Sequence, residues 1–503
     1  MSDRIGFLST TAIGLALYLP LLSRWYDLNG LYEASAVDTG VGLLWPNHML
    51  YRPIGFLVYQ AARFVGYEGL SVDLLQVVGA VFGAVGLGLA YVLFRRLSGH
   101  AFVALSLSTG MGVSLSYWAY STDISYIVPA VLPVAAALVC VVQRPVTWPR
   151  AVGIRLLCAL AVLLWQANVL LVPLLAIVLL AQRERPVLVV AFLAASVGVV
   201  ALVYVLAAVV VYSQPTLVDA LLWAVRYGGA PLPQWGQSQA ERVPLAAIHE
   251  LASLGPLASG MRLDQFGTVV RGSLQTQVAL LTMGLLALWA LGLLVRARPH
   301  RGMALWLGAG YLLYIGFIAW WDPYEPKWFV VPNLFLGALL ALLWGRGRRV
   351  DMAVLAGCVA ILAICNLTAV VWPRHVQPNP SLVTAQCVGE HMGAQDVVLV
   401  GDWQWNGYLD YFYSRHSVLL VGQTAALGSK EAVLAMMARL TREQSNGGAS
   451  VYMSDWDAYP ADHMSWFTAQ TGLTRDDLRR FRTEPAFTCN GVSLVRIVGE
   501  SEL

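Results

Sequence analysis

Residues 156–181 read LLCALAVLLWQANVLLVPLLAIVLLA, an uncharged run whose division decides the topology of the whole chain. It is either one long membrane helix or two short ones hinged at Trp165, Gln166, Ala167 and Asn168. A helix needs about 20 apolar residues to cross a bilayer, so length alone does not choose. Charge does. With a hinge, the clusters Arg95/Arg96, Arg144/Arg150/Arg155, Arg183/Arg185, Arg296/Arg298/Arg301 and Arg346/Arg348/Arg349 all fall on the side of Arg4. With one unbroken span, everything after Arg183 turns over. Basic residues concentrate in cytoplasmic loops, so the hinged reading holds and the N-terminus is expected in the cytoplasm.

Working outward from the hinge, further spans are expected at 71–94, 101–118, 124–142, 186–212, 278–295, 303–320, 329–344 and 352–371. Residues 5–22 are expected to form a first, uncleaved span, because Ser23, Arg24 and Trp25 offer no small-residue cleavage site. The expectation is a mainly α membrane protein with about eleven transmembrane helices. Composition agrees, with 58% hydrophobic and 12% charged residues and a mean hydropathy of +0.64. A soluble domain carries about one quarter charged residues. The net charge of +3, in dispersed clusters, gives no nucleic-acid footprint. This is the profile of a multi-pass protein of the plasma (inner) membrane.

The unusual polar chemistry then gathers on one surface, outside the cytoplasm. It lies in a first loop (23–70), the short turn 120–123, a long loop (213–277) and WDPYEPKW at 321–328. Within the long loop, 217–227 and 244–257 are amphipathic and suited to the membrane interface. Between them, 228–239 is irregular and free to cover a site. After Trp372 the composition changes. Pro373, Pro378 and Pro380 form a linker, dividing a membrane domain (1–372) from a soluble extracytoplasmic α/β domain (373–503). Strands are expected at 396–400, 417–421, 450–453 and 492–498, with helices at 430–442 and 461–482. Gly401-Asp402 and Ser454-Asp455 end strands where open α/β sheets hold ligands. No phosphate-cradling glycine motif accompanies them, which favours a structural or acceptor-docking role. Cys140, Cys158, Cys358 and Cys365 fall within apolar spans as small core residues, whereas Cys387 and Cys489 share the outer domain and are expected to pair. No metal site is read from the sequence.

The first loop, WYDLNGLYEASAVDTGVGLLWPNHMLYRPIGFLVY at 25–59, carries Asp27, Glu33, Asp38, His48 and Arg52. Carboxylates beside a bilayer are costly to desolvate and mark working sites. An acidic residue just beyond the first span, an interfacial helix and then the segment PNHMLYRPIGFLVY resemble the membrane-embedded glycosyltransferases of the C superfamily (GT-C), of the protein-mannosyltransferase and aminoarabinose-transferase type. The hinge at WQANVLLVP and the outer C-terminal domain extend the resemblance over most of the chain. It implies that a first-loop carboxylate is the catalytic base and that the donor is a sugar on a polyprenyl phosphate or diphosphate. Asp27, Glu33 and Asp38 all match by position. Asp27 ranks first because it follows the first span directly, as the superfamily's base does, and Glu33 ranks second.

The chemistry is consistent with that set. Inverting transfer needs a base for the acceptor hydroxyl as it attacks the anomeric carbon. It also needs fixed cations for the phosphate leaving group. Arg52, Arg226 and Lys327 are the cationic candidates and His48 is a further donor. Tyr51, Trp321, Tyr324 and Trp328 are candidates to stack on sugar or line a lipid groove, and Asp123 is a second acidic candidate. Belt anchoring of the aromatic residues and snorkelling of Arg52 and Lys327 are the competing structural explanations. The expected partners are a polyprenyl-phosphate-linked donor and membrane lipid, with the glycan, lipid or protein acceptor unassigned. No cofactor is assigned, and a divalent cation is left open. A non-catalytic assembly subunit, a lipid-linked glycan ligase or a transporter would share the topology. The transporter ranks below the enzyme, because the spans carry few interior charges and no evident repeat.

Overall fold

A computed structural model of the chain describes residues 2–143, 146–181, 186–225, 240–297, 301–345, 348–401, 405–459 and 461–500. Arg144, Arg183, Arg185, Arg226, Arg298, Arg346, Asp402 and the stretch 228–239 lie outside the described residues. Two compact units result. One comprises Met1–Ser23 and Glu33–Val376, the other Arg24–Tyr32 and Gln377–Leu503.

Up to residue 376 the secondary structure is helical. In order come α1 (Asp3–Tyr18), α2 (Leu28–Thr39), α3 (Tyr51–Phe64), α4 (Ser71–Ser98), α5 (Ala101–Val113) and α6 (Leu115–Ser121). Then follow α7 (Ile127–Val142), α8 (Trp148–Leu164), α9 (Leu171–Ala181), α10 (Pro186–Leu206), α11 (Leu217–Val225) and α12 (Arg242–Leu254). The last are α13 (Phe266–Gly272), α14 (Leu274–Ala297), α15 (Arg301–Trp321), α16 (Val330–Trp344), α17 (Arg349–Asn366) and α18 (Trp372–Val376). Among the described residues, seven helical stretches are long and apolar enough to cross a membrane: Asp3–Leu21, Ser71–Ser98, Val189–Val211, Leu274–Arg296, Gly302–Trp321, Pro326–Trp344 and Arg349–His391. The helices Ala101–Val113, Ile127–Val142 and Gln166–Leu180 are apolar but shorter. The protein is therefore a mainly helical, multi-pass membrane protein.

α4 is the hub of this unit, packed against α1, α5, α7 and α16. Its contact with α1 needs glycine, since a Cβ on Gly14 would sit 2.8 Å from the Ala84 Cα. The decisive run at 156–181 is interrupted. α8 ends at Leu164, Trp165 is extended, and Gln166–Leu170 is a 3-10 turn leading into α9. Broken helices at membrane depth must satisfy their freed backbone groups internally. The Leu50 N–H does so for the Leu163 carbonyl (3.0 Å), and Asn168 braces the break, its Nδ2 adding a second donor to the Ala161 carbonyl (3.0 Å) while its Oδ1 accepts from the Tyr314 hydroxyl (2.9 Å).

A second interruption departs from the sequence reading. Residues 101–118, expected as one span, are α5 and α6 separated by Ser114, whose ψ of 144° is extended. Its hydroxyl donates to the Met111 carbonyl at 2.6 Å, the local side-chain competition by which serine ends helices.

In the second unit, α19 (Pro380–His391), β1 (Val397–Val400), α20 (Asn406–Tyr413), β2 (His416–Leu419), α21 (Leu420–Leu427), α22 (Lys430–Asn446) and β3 (Val451–Ser454) precede α23 (Ala461–Thr471), α24 (Arg475–Leu478), β4 (Phe481–Cys489) and β5 (Val492–Glu500). The sheet order is β2-β1-β3-β5-β4. β1 pairs in parallel with β2 and β3, and β5 runs antiparallel to β3 and β4. Val397, Leu399, Val433, Met437, Trp456 and Phe467 belong to its apolar core. The expected helix at 461–482 is corrected here. Gly472, with a φ of +71°, stops α23, and Phe481 already opens β4. That strand is an edge with Pro485 at an irregularity in its pairing, where proline is tolerated but strand patterning is weak. Cys387 and Cys489 are joined by a disulfide with 5.6 Å between their Cα atoms, tying α19 to the end of β4. Residues 24–32 pack into this unit. The Trp25 indole donates to the Gln377 carbonyl (2.9 Å), the Tyr408 hydroxyl donates to the Tyr26 carbonyl, and the Tyr26 ring lies 5.3 Å from Phe412.

Candidate active site

The site is built on a reversal of the chain. Gly40 and Gly42 take left-handed backbone (φ +70° and +67°), a conformation that costs glycine little, and end α2 so that the next segment folds back. Pro46–His48 then forms a 3-10 turn, with His48 N–H donating to the Trp45 carbonyl, before α3 begins at Tyr51. His48 and Arg52 thus lie four residues apart and both reach Glu33 on α2. The Arg52 guanidinium straddles the carboxylate, with Nε 2.8 Å from Oε2 and Nη2 3.1 Å from Oε1. Its remaining nitrogen, Nη1, donates to the Gly42 carbonyl at 2.6 Å, and the group lies 5.1 Å from the centre of the Trp45 ring. His48 Nε2 meets Glu33 Oε2 at 2.8 Å.

All three side chains are buried. Burial by itself raises the Glu33 pKa, but the His48 imidazole and the Arg52 fork outweigh it and hold the carboxyl at about 2, well below the usual range. Glu33 is therefore an anion whose two oxygens are both engaged.

From His48 an aromatic wall continues. Its ring stacks on Tyr126 at 4.0 Å, and Asn47 Nδ2 donates to the Tyr126 hydroxyl at 2.9 Å. Tyr51 meets both rings edge-on. Tyr126 approaches Trp328 (6.4 Å), which lies 4.6 Å from Trp321 and stacks on Trp165 at 5.9 Å. Trp328 Nε1 donates to Asp322 at 3.2 Å. Beside this wall Lys327 is 3% exposed. Its ammonium is 5.1 Å from the Trp328 ring centre, 5.9 Å from that of Tyr120 and 3.9 Å from the Glu325 carboxylate. Asp123 is buried in the turn before Tyr126, its Oδ1 accepting from Ile124 N–H at 2.7 Å. Burial, Glu33 and Asp123 together push the Tyr51 hydroxyl well above its ordinary pKa, so both carboxylates act on the same ring.

Eight sequence candidates thus converge through direct contacts or shared neighbours: Glu33, His48, Tyr51, Arg52, Asp123, Trp321, Lys327 and Trp328. Tyr324 faces a different neighbour, the ring of His249 on α12, at 6.0 Å. Asp38 is used elsewhere. Its Oδ1 accepts from the Ser71 N–H at 2.9 Å, at the start of α4. Asp27 belongs to the segment that packs with the second unit, where its carbonyl accepts from Leu31 N–H at the first turn of α2. Arg226 lies outside the described residues.

Sequence reasoning missed Trp45, Tyr120 and Trp165, which are single aromatic residues without a pattern. It also missed Glu250, buried on α12, with its pKa pushed up to about 8 by burial. Tyr311 donates to that carboxyl at 3.1 Å, and the adjoining Ser253 hydroxyl accepts from Asn333 Nδ2 at 2.8 Å. The amphipathic pattern of α12 was the available signal. Among the described residues, Cys387, His391 and Cys489 form a cluster of potential metal ligands, but its two sulfurs are joined to each other.

Solved structures share this fold. Over nearly its whole length the chain is similar to ArnT from Cupriavidus metallidurans bound to undecaprenyl phosphate (TM-score 0.60, 12% identity, 97% of each chain covered). It is also similar to the Archaeoglobus fulgidus oligosaccharyltransferase in complex with Zn and sulfate (TM-score 0.52, 11% identity, 95% of this chain and 71% of that one). The mycobacterial arabinofuranosyltransferase AftD gives a TM-score of 0.50 at 14% identity, with 100% of this chain and 42% of that one covered. No protein-family model and no curated protein matches the sequence.

Proposed function

We propose that this protein transfers a sugar from a polyprenyl-phosphate-linked donor to an acceptor outside the cytoplasm, with inversion at the anomeric carbon. The observation that carries the reading is the buried Glu33–His48–Arg52 cluster flanked by an aromatic wall and the buried Lys327. The wall offers faces for a sugar. Lys327 supplies a fixed cation for the phosphate that leaves, where buried charge is worth more than in water. The Glu33 cluster supplies the proton-accepting side, by the same logic that selected the first-loop carboxylates. Asp27 and Asp38 are the competing carboxylates. The likeness to a structure of ArnT that holds undecaprenyl phosphate supports a lipid phosphate as the leaving group. Whether the sugar is a hexose or a pentose is unassigned. The arginine distribution supports about eleven spans in the inner membrane, with a cytoplasmic N-terminus and an outer C-terminal unit.

The test is turnover by purified protein in lipid nanodiscs, offered a panel of polyprenyl-phosphate and diphosphate sugars, with release of the lipid phosphate as readout. The wild type should consume one donor, and Glu33→Gln should lose ~10²- to 10⁴-fold in rate. Asp27→Asn and Asp38→Asn should retain turnover per folded molecule. If no donor is consumed, and a deletion strain accumulates no lipid-linked sugar, the reading fails. If Asp27→Asn alone is inactive, the proton-accepting side moves to that residue.

A further inference from the structure

Glu33 sits where a proton acceptor is wanted, yet it is a poor one. Both oxygens already accept hydrogen bonds, and the guanidinium fork compensates its charge. His48 presents the opposite arrangement. Its Nε2 is committed to Glu33, while its Nδ1 is buried and has no hydrogen-bond partner among the described residues. A carboxylate can only accept, so Nε2 carries the hydrogen, and in the neutral ring this leaves the lone pair on Nδ1. Arg52 already balances the Glu33 charge, so nothing in the cluster demands an imidazolium. We infer that His48 Nδ1 is the atom that takes the acceptor's hydroxyl proton, with Glu33 as the residue that positions and orients its ring. The inference rests on the glycosyl-transfer reading above and names the base within it.

The step balances. The acceptor oxygen attacks the anomeric carbon and forms the new glycosidic bond. The bond from that carbon to the phosphate oxygen breaks, and the electron pair leaves with the polyprenyl phosphate. The hydroxyl proton passes to His48 Nδ1, and the imidazolium gives it to water as products depart. Glu33 stabilises the transient cation, as the carboxylate does in serine–histidine–aspartate sites. The ring is held for this task by stacking on Tyr126 and by Asn47, its chain neighbour, bonding the same tyrosine. The charged and titratable groups around it are Glu33 on α2, Tyr51 and Arg52 on α3, and Asp123 and Tyr126 ahead of α7. α8, which packs against the 46–48 turn, carries Arg150 and Arg155 near its opposite, N-terminal end, where Arg155 lies over the Trp148 ring, and on α10 the Tyr204 hydroxyl donates to the Pro46 carbonyl. On α11, also packed there, Asp219 accepts from the Thr216 hydroxyl at 2.6 Å.

His48→Gln is the informative variant, because its amide can still donate to Glu33 but offers no basic nitrogen. At saturating donor it should lose ~10²- to 10⁴-fold in single-turnover rate, with the donor Kd within about threefold of wild type and the acid limb of the pH–rate profile abolished. A merely structural histidine would lower Tm and weaken donor binding without moving that limb. Unchanged turnover, or an unchanged acid limb, overturns the assignment and leaves the glycosyl-transfer reading intact. Absence of transfer by the wild type from every donor overturns both. Should the variant not fold, nitrogen-15 NMR of histidine-labelled wild type reads the tautomer directly. A bare Nδ1 that titrates supports the inference, and a protonated Nδ1 at neutral pH overturns it.

Discussion

Arg52 spends three nitrogens on two acceptors, the Glu33 carboxylate and the half-buried Gly42 carbonyl, so its loss removes the cation that compensates a buried anion. Breaking a buried pair by removing one partner costs ~3 to 5 kcal/mol. Arg52→Ala should therefore lower the melting temperature sharply in detergent, and Arg52→Lys should recover part of it without restoring the fork. The pH dependence follows from Glu33. Its carboxyl is held at about 2 when folded, against an ordinary 4.5, so its stabilisation is complete above the ordinary value and is lost as pH falls toward 2. Unfolding midpoints measured down that range should fall more steeply for the wild type than for Glu33→Gln. At this scale the sequence reached the residue types but not their roles. Three carboxylates within twelve positions looked interchangeable, because what separates them is which cations and amides they meet, and that depends on how the chain folds back through Gly40 and Gly42 to bring His48 and Arg52 onto Glu33.

Asp38 belongs to the scale of elements. By bonding Ser71 N–H it satisfies one of the orphan donors at the start of α4, the helix on which α1, α5, α7 and α16 pack. Asp38→Ala should cost ~0.5 to 2 kcal/mol, as loss of an N-terminal cap does. Turnover per folded molecule should persist, and its loss would show that Asp38 serves the chemistry. The reading of elements was most reliable where charge chose between alternatives that apolar length left open, as at the interruption beside Trp165. It was weakest where a single residue decides. Ser114 ends a helix inside an apolar run, and β4 hides behind Arg482, Glu484 and Pro485, whose types argue against a strand.

For the whole molecule, composition and hydropathy sufficed to identify a mainly helical membrane protein, whereas the second compact unit takes up the chain again at Gln377 and not at the expected 373. They gave no sign that residues 24–32 pack with that second unit, because the partners Gln377, Tyr408 and Phe412 lie far along the chain. The disulfide between Cys387 and Cys489 spans a sequence separation of 102 residues, and chain-entropy arguments value such a loop at ~4 to 5 kcal/mol. Reduction, or the double replacement Cys387→Ala/Cys489→Ala, should make the second unit open to limited proteolysis while leaving the helical unit's fragments intact. Free-thiol labelling of either cysteine in unreduced protein would contradict the bond.

The placement of residues 24–32 also sets a timetable for biogenesis. A ribosome releases this segment near the beginning of synthesis, yet its partners, Gln377 and the α20 residues Tyr408 and Phe412, are made more than three hundred residues later. During nearly the entire period of translation, Trp25 and Tyr26 must wait without their partners, and whatever membrane insertion has achieved by then leaves that early stretch unfinished. Maturation would consequently be completed from the C-terminal end backwards, making late truncations defective at a place hundreds of residues upstream of the stop codon.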